Sequence, residues 1–483
     1  MSRNQPCAAI LPDRLIVVGD LHLGEGATPV RGRVSGEHFF HDREFASWLR
    51  RLSSHGARRG RRLELVLNGD AFDFLRVIRL PDGPRGVAAW RQLLRAAGVG
   101  CAPDRLRAAA RGHYSLRERT FGFGSDEPSS VWKLGVIAVA HRAVFGALAT
   151  WCRAGHSLVI IRGNHDPEWA WPGVRRALVA LLERAGAGRL RPGQVRFRSR
   201  AHRRANVHIE HGHEVDWLTR SERDFSDTEP ARLRLPFGSL ISRYVLNVLE
   251  RRVPPRAPLP PSGRLVEALQ RQPWRLLPAI VTNALRAIPF IGWSGWKPWF
   301  ERLLEWWPAR VSMTMSAALL AALPVAPLVG DDISRHSRTG VMAASLLGLG
   351  LPIAGFMARQ IAAEIDREGL AAEVRRHARR VATRCRSPGR PRRYVVLGHT
   401  HRPETCEWAG VDGAIVYLNP GAWPPRVAPP PGARCRASCG SRAAAARMCA
   451  TACFPSPRSH HVPDPRRSDQ SRRNRVAGVV AAW

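Results

Sequence analysis

Five short strand-like runs, most of them largely apolar, are each followed at once by small or polar residues. The runs are residues 15–18, 63–67, 158–161, 207–210 and 394–397. Apolar runs of this length, rich in β-branched residues and bounded by turn residues, predict buried strands. Stretches 35–52 and 130–155 predict helices between them, and the apolar spacing of the second is typical of a core-facing helix. The pattern therefore predicts an α/β fold, with His141 packed or bonded inside the second helix.

Side chains that can bind a metal or titrate stand just past the carboxyl end of every predicted strand. They are Asp20, His22, Asp70, Asp73, Asn164, His165, Asp166, His211, His213, His399 and His401. Glycine, asparagine and aspartate are ordinary turn residues, so one such ending would mean little. Recurrence after five strands is different, because loops at this edge of an open α/β sheet converge on the place where ligands bind.

The mixture of imidazole, carboxylate and amide groups predicts a metal centre. Imidazole and carboxylate ligands together suit divalent Mn, Fe or Zn, and one ion takes about four to six ligands. The seven ligand candidates are Asp20, His22, Asp70, Asn164, His211, His399 and His401. Two ions that share one bridging carboxylate would use all of them. Two metals ~4 Å apart can clamp a phosphoryl group and form hydroxide from bound water.

The region 251–375 has a different pattern, which predicts a membrane contact. It opens with a Pro-rich linker and continues with tryptophans crowded among charges. Segments 311–330 and 339–358 are then each twenty residues long without a charge. A membrane-spanning helix needs ~20 apolar residues, and tryptophan is enriched at the lipid–water interface. We therefore expect a helical hairpin that dips into or crosses a bilayer; the alternative is a buried helical hairpin in a soluble domain.

The chain divides into four parts by composition. Residues 1–250 carry four of the five strand ends, 251–375 are the linker and hydrophobic hairpin, and 376–423 carry the fifth strand end. Residues 424–483 are rich in Arg, Pro and Ala without sustained periodicity. We expect this tail to be mostly disordered and dispensable for activity.

The net charge is strongly positive, which is typical of proteins with phosphate-rich partners. Lys and Arg number 75 against 39 Asp and Glu, a formal charge of +36. Attraction to nucleic acid, anionic lipid or a nucleotide is one explanation, and a general bias toward Arg along the chain is the other. The start of the chain lacks the apolar core of a secretory signal, and cysteines in the body of the chain are far apart. We expect a cytoplasmic catalytic domain associated with the inner membrane.

Five short motifs, in the order found here, resemble those of the calcineurin-like metallophosphoesterases. They are GDLH at 19–22, GDAFD at 69–73, GNHD at 163–166, HGH at 211–213 and GHTH at 398–401. Each motif alone is weak, but five in order, all after predicted strands, are specific. The resemblance covers about 15–250 and 390–423. It implies a four-layer α/β/β/α sandwich with two metal ions at one edge.

The resemblance also implies a role for each residue at the strand ends. Asp20, His22 and His401 would hold the first metal, Asp70 would bridge both metals, and Asn164, His211 and His399 would hold the second. His165 would lie beside the phosphate and stabilise the transition state or protonate the leaving oxygen. Asp166 would orient His165 by accepting a ring N–H.

The sequence leaves two possible roles open for each of two further residues. Asp73 would either support the site or cap a helix, and His213 is either a supporting residue or a surface histidine. Residues 418–423 predict a closing strand and turn beside the site, with a structural role.

The expected activity is two-metal-dependent hydrolysis of a phosphoester or pyrophosphate bond by a metal-bridging hydroxide. The motif GDLHLG and the hydrophobic insertion are similar to the UDP-2,3-diacylglucosamine pyrophosphohydrolase branch, which implies a lipid-linked substrate near the cytoplasmic membrane face. Those enzymes carry Arg where this chain has His165, and this chain is longer. The alternatives are a soluble nucleotide or nucleic-acid phosphoesterase and a non-catalytic membrane-anchored scaffold on the same fold.

Overall fold

A computed structural model describes most of the part of the chain that carries the motifs. The described residues are 14–28, 36–220, 224–225, 231–251, 367–384, 392–410, 413–423 and 479–481, with isolated positions 271, 282, 301, 311 and 314. Apart from two of those isolated positions, segments 311–330 and 339–358 lie outside the described residues, so the membrane hairpin stays a prediction. Among the described residues, no single helix has both the length and the apolar character that crossing a membrane requires.

The first sheet has five strands that are all parallel to their neighbours. They are β1 (Arg14–Val18), β2 (Leu63–Asn68), β3 (Ser157–Ile161), β4 (Val195–Arg198) and β10 (Val479–Ala481), in the order β10-β1-β2-β3-β4. The strands predicted at 15–18, 63–67 and 158–161 are confirmed, each longer by one residue. Val18 pairs with Leu67, and Leu67 pairs with Ile160, so the carboxyl ends of β1, β2 and β3 lie level at one edge.

The second sheet is mixed. Its strands are β5 (Ala201–Arg204), β6 (Val207–Glu210), β7 (Arg392–Leu397), β8 (Glu404–Gly410) and β9 (Gly413–Asn419), in the order β5-β6-β7-β9-β8. The central three are parallel and the outer two pair antiparallel to them. Glu210 pairs with Leu397, so β6 and β7 also end level with each other. The strands predicted at 207–210 and 394–397 are confirmed, and so is the closing strand at 418.

Alternating side chains of the first sheet enter two different cores. Val17, Val66 and Val159 pack with residues of the second sheet such as Ile209 and Val396. Neighbouring positions in the same strands, including 16, 65 and 160, pack instead into a larger core with the helices. Because successive strand residues point to opposite faces, a strand buried on both faces becomes a continuous apolar run. This explains why these strands could be recognised in the sequence.

Helices cover the outer faces of both sheets. The longer ones beside the first sheet are α1 (Asp42–Arg58), α2 (Gly83–Ala97), α3 (Pro103–Ala110), α4 (Leu116–Phe121), α5 (Glu127–Ala140), α6 (Arg142–Arg153) and α7 (Pro172–Leu182). Two short helices, α8 (Phe237–Ile241) and α9 (Asn247–Glu250), flank a π-helical turn at Ser242–Leu246. Helix α10 (Arg367–Arg384) packs Val374, Ala378 and Ala382 against Val395 and Leu397 of the second sheet.

The stretch 130–155 is not one helix, as predicted, but the end of α5 followed by α6 at an angle of 95°. The break falls at His141, which is 2% exposed. Its Nδ1 lies 2.8 Å from Asp42 Oδ1 and its Nε2 lies 3.2 Å from Glu37 Oε2. The prediction of a partner-bonded His141 is therefore confirmed. The break has no Gly or Pro at it, and its histidine bonds to residues about 100 positions away, which local sequence does not reveal.

The tail also departs from its predicted character at one place. Residues Val479–Ala481 run parallel to β1, with Val479 opposite Leu15 and Ala481 opposite Val17. Three residues of the tail are thus ordered as an edge strand of the first sheet, and the rest of 424–483 lies outside the described residues. A parallel pairing of this kind joins segments distant in sequence, which composition alone does not predict.

Candidate metal centre

The side chains at the strand ends converge where the two sheets meet, and they do so on strained backbone. Among the described non-glycine residues, six have positive φ, and five of these are metal-ligand candidates. They are Asp20 (48°), His22 (52°), Asp70 (47°), His399 (69°) and His401 (55°). A positive φ costs an L-residue roughly 1–3 kcal/mol and is tolerated where the surrounding structure enforces it. The strain is therefore concentrated at the predicted site.

Two motif glycines leave room for ligand side chains. A Cβ atom at Gly163 would lie 2.1 Å from Asp70 Oδ1, and one at Gly69 would lie 2.4 Å from the His211 ring. Real Cβ atoms do not approach other atoms so closely. The glycines of GD and GN are thus required because carboxylate and imidazole groups occupy the space of their missing side chains.

The first cluster of possible ligands consists of Asp20, His22, Asp70 and His401, whose nitrogen and oxygen atoms lie within 4.8 Å of one another. The Nε2 atoms of His22 and His401 are 3.1 Å apart. His401 Nε2 is 3.2 Å from Asp20 Oδ1, and His22 Nε2 is 4.0 Å from Asp70 Oδ2. Two imidazole nitrogens and two carboxylates therefore face a common point.

The burial and the hydrogen bonding of the Asp20 carboxylate are compatible with a bound cation. The carboxylate is 0% exposed, and within the described part of the chain neither oxygen has a hydrogen bond of good geometry, although His401 Nε2 forms an ion pair with Oδ1 at 3.2 Å. A buried carboxylate normally accepts several hydrogen bonds, because desolvating a charge is costly otherwise. The donor set and these two unsatisfied oxygens together fit a divalent ion at the first cluster.

The second cluster consists of Asp70, His211 and His399, again with possible ligand atoms within 4.8 Å of one another. His211 Nε2 lies 3.3 Å from Asp70 Oδ2 and 3.3 Å from Asn164 Oδ1. Asn164, which was predicted as a ligand, therefore adjoins this cluster through its amide oxygen. Asp70 belongs to both clusters, and both clusters could hold a metal ion.

The rings of two histidines in the second cluster are each held in orientation by a neighbouring polar group. His211 Nδ1 lies 2.9 Å from the main-chain oxygen of Asn68 and donates its proton there, so Nε2 is the ring atom that faces the other ligand candidates. His399 Nε2 lies 3.2 Å from Asp216 Oδ2 and 3.4 Å from Thr219 Oγ1. Partners of this kind fix ring orientation and raise ligand basicity. Sequence reasoning missed Asp216, although an acid five residues after His211 was the available signal.

The partner of His165 is Asp73 and not Asp166, which corrects the prediction. His165 Nδ1 lies 3.0 Å from Asp73 Oδ2, and His22 Nδ1 lies 3.5 Å from the same oxygen. Asp73 begins a short 3-10 helix at Phe74–Arg76 without a side-chain capping bond. Of its two predicted roles, the supporting one therefore holds.

Asp166 instead shapes the loops of the site. Its carboxylate accepts main-chain N–H groups from Gly163 at 2.6 Å, Ala71 at 3.1 Å and Phe72 at 3.4 Å. It thus ties the loop after β3 to the loop after β2. Burial and the nearby Asp70 carboxylate raise the pKa of Asp166 to about 7. Local spacing could not separate Asp73 from Asp166 as the partner of His165, because the choice depends on loop packing.

Attraction between the buried carboxylates and the neighbouring histidines has a larger effect than burial on the pKa values of Asp70, Asp73, His165 and His211. Burial would raise the pKa values of Asp70 and Asp73, but the neighbouring histidines hold both well below their usual range. Burial would lower the pKa of His211, yet Asp70 raises it to about 10. The pKa of His165 is raised to about 9 against the effect of burial, chiefly by Asp73 and Asp70.

His213 is a buried residue and not a surface histidine. It is 5% exposed, and its ring centroid lies 5.3 Å from that of His211. Burial, with the charges of His211 and His399 added, lowers the pKa of His213 well below its usual value. A ring that stays neutral beside the second cluster supports the ligands without adding positive charge.

A cleft opens beside the second cluster. Its empty volume is about 310 Å³. Asn164, His213 and Thr219 line its inner end, and Arg162 and Arg234 line it as well. Arg162 Nη1 lies 2.7 Å from Asp224 Oδ1, so one acid partly balances the basic lining. The cleft leads from solvent toward the buried ligands.

Comparisons with known proteins add no relative to this description. No family model matches the chain, and no match was found among curated proteins or among solved structures. The chain is therefore characterised by its own geometry: a mixed α/β fold with two His/Asp clusters that share Asp70 and could hold metal ions. A third group with ligand atoms equally close together consists of His22, Asp73 and His165.

Proposed function

We propose that the protein is a two-metal phosphoesterase of the calcineurin-like type, which hydrolyses a phosphoester or pyrophosphate bond. One observation carries the proposal: Asp70 Oδ2 contacts histidines of both clusters, His22 at 4.0 Å and His211 at 3.3 Å. A shared carboxylate between two sets of imidazole and carboxylate ligands is the arrangement that a pair of ions a few ångströms apart requires.

The packing of the sheets is compatible with the proposed four-layer sandwich. An apolar core lies between the two sheets, and helices pack on the outer face of each. We take this order as helix, sheet, sheet, helix. The proposed ions, Mn, Fe or Zn, would lie at the edge where strands of both sheets end.

The ions and His165 would divide the chemistry. When bound, two divalent ions would supply an activated water and neutralise charge on the phosphoryl group. Asp73 accepts from Nδ1 of His165, which leaves Nε2 for substrate, and the His165 side chain is 17% exposed while Asp73 is 0% exposed. A pKa near 9 keeps His165 protonated at neutral pH, so it can donate to the leaving oxygen.

The substrate is proposed only by class. The basic lining of the cleft suits a second anionic group on the substrate, as in a diester or pyrophosphate. A lipid-linked substrate at the cytoplasmic membrane face suits the hydrophobic segments 311–330 and 339–358, and a soluble nucleotide or nucleic acid is the alternative substrate class. The complete ligand set favours an enzyme over a non-catalytic scaffold.

The test is Mn²⁺-dependent product release by the detergent-solubilised full chain, with Asp70→Asn as the matched variant. The panel contains a generic phosphomonoester, a generic diester, a nucleotide pyrophosphate and a UDP-linked acylated sugar. Release that needs Mn²⁺ and is lost in Asp70→Asn supports the proposal, and the preferred substrate identifies the class. Metal binding without release from any of the four would contradict it and favour the scaffold.

A further inference from the structure

Four charged side chains lie buried behind the candidate centre and form two ion pairs. Arg76, Glu250, Glu25 and Arg251 are each at most 5% exposed. Buried charges are costly unless they are paired, and removing one partner leaves the other uncompensated. The pair of Arg76 and Glu250 joins the end of α9 to the loop after β2, which also carries Asp73, and the pair of Arg251 and Glu25 joins it to the loop after β1.

The pair of Arg76 and Glu250 leads to the site. Arg76 Nε lies 3.1 Å from Asp73 Oδ2. The same oxygen lies 3.0 Å from His165 Nδ1. On its other side, the guanidinium of Arg76 donates to both carboxylate oxygens of Glu250, with Nη2 3.4 Å from Oε1. Glu250 therefore sets the direction from which Arg76 meets Asp73.

The pair of Arg251 and Glu25 anchors the same elements by another route. Arg251 Nη2 lies 2.8 Å from Glu25 Oε1 and 2.8 Å from the main-chain oxygen of Arg76. Glu25 Oε2 accepts the main-chain N–H groups of Ile78 and Arg79 at 2.9 and 3.0 Å. This pair holds the main chain of residues 76–79 and does not contact the guanidinium of Arg76, so a change in it is a matched control for packing at the same helix end.

Asp73 has one carboxylate oxygen that is unused. Oδ1 is buried and has no hydrogen-bond partner among the described residues, whereas Oδ2 lies close to both His165 and Arg76. A guanidinium prefers to bind both oxygens of a carboxylate with two parallel N–H groups. An Arg76 released from Glu250 would therefore turn to hold both oxygens of Asp73 and draw Oδ2 away from His165.

We propose that Glu250 is a positioning residue for His165, because it restrains Arg76 and so leaves Asp73 to orient the imidazole. This inference rests on the proposed function where it is tested by kinetics, because that test measures phosphoester hydrolysis. A second test on metal-free protein is independent of it.

The kinetic test compares Glu250→Gln with Glu25→Gln. Both changes remove the charge of a buried acid that pairs with an arginine at the same helix end, and both keep its shape. Glu250→Gln should lower kcat by about 10- to 100-fold with KM little changed. Glu25→Gln should lower the Tm similarly and leave kcat within about twofold of wild type. Equal losses of kcat in the two variants would show a structural role and overturn the proposal.

The second test follows the His165 ring by ¹⁵N NMR in metal-free full-length protein. The imidazole ¹⁵N signals should shift in Glu250→Gln and stay in place in Glu25→Gln. Adding Arg76→Met to Glu250→Gln should return the signals toward the wild-type positions, since the competing guanidinium is gone. Unshifted signals in Glu250→Gln, or no return in the double variant, overturn the proposal. If wild-type protein hydrolyses no phosphoester, the proposed function fails, and this NMR comparison still decides the role of Glu250.

Discussion

The two metal-ligand clusters differ in how much of their geometry the protein itself supplies. In the second cluster the His211 and His399 side chains are 1% and 8% exposed, and the rings are held by Asn68 and Asp216. In the first cluster the His401 side chain is 26% exposed. Among the residues that the structure describes, the Asp20 oxygens there are neighboured by the half-buried His401 ring at 3.2 Å and accept no hydrogen bond of good geometry.

The difference indicates an order of binding. The second cluster is organised before an ion arrives, so it loses little entropy on binding, whereas the first needs the ion to compensate its buried carboxylate. We expect the second cluster to bind the tighter ion and the first, more open cluster to exchange its ion faster. Four experiments can break or sharpen this comparison.

The largest effect is expected for Asp70→Asn, because this residue belongs to both clusters. Losing the shared charge should abolish tight binding at both and lower kcat at least about 1,000-fold, equivalent to several kcal/mol of barrier. Bound metal counted by elemental analysis, together with phosphate release, would measure this. A variant that retained two ions and substantial turnover would show that the clusters are independent.

A smaller and one-sided effect is expected for Asp216→Asn. The carboxylate that contacts His399 Nε2 is replaced by an amide of the same shape. The tighter of two calorimetric Mn²⁺ affinities should weaken by about 10- to 100-fold, and the weaker one should stay unchanged. Loss of the weaker affinity instead would reverse the assignment of tight and weak clusters.

The pH dependence of metal binding should separate the clusters further. The pKa of His211 is raised to about 10, since Asp70 and Asp20 outweigh the effect of burial. The protonated ring cannot ligate, so binding at the second cluster displaces a proton below that pH. Affinity there should rise by about tenfold per pH unit between about pH 6 and 9. Titrations in buffers of different ionisation enthalpy would count the proton, and a pH-independent affinity would contradict the prediction.

The smallest effect is expected from deleting residues 479–481. Among the strands that the structure describes, this one pairs with β1 alone, and the carboxyl end of β1 carries Asp20 and His22 of the first cluster. Loss of a short edge strand should change stability and the weaker metal affinity by about twofold, within about 0.5 kcal/mol. Denaturant unfolding and Mn²⁺ titration would measure both. A large loss would mean that the tail organises the first sheet, against the expectation that it is dispensable.

The sequence was most informative where local pattern decides the outcome. Strands such as those at 15–18 and 158–161 were found because burial on both faces makes their apolar runs continuous, whereas 207–210 was recognised by its alternation of apolar and polar residues. The ligand candidates were found because the motifs place them directly after those runs. The structure brings these candidates together into two clusters, and their metals and chemistry stay proposals.

The misses share a physical cause, which is contact between residues far apart in the chain. Asp73 and His165 are 92 positions apart, and Arg76 and Glu250 are 174 apart. The bend at His141 depends on Glu37, 104 positions away. Spacing within a motif names the titratable groups but not which pairs of them meet, because loop packing decides that.

The positive φ angles at the strand ends have a consequence for how this protein would change under selection. Glycine adopts such angles without strain, so replacing His401 or Asp20 by glycine should relieve roughly 1 kcal/mol of backbone strain while removing a ligand. Variants screened for heat resistance alone would therefore accumulate glycine at these positions. They would lose the candidate metal ligands before other parts of the fold change. Variants recovered with a second screen for bound metal should keep the strained residues, and gain their stability elsewhere in the fold.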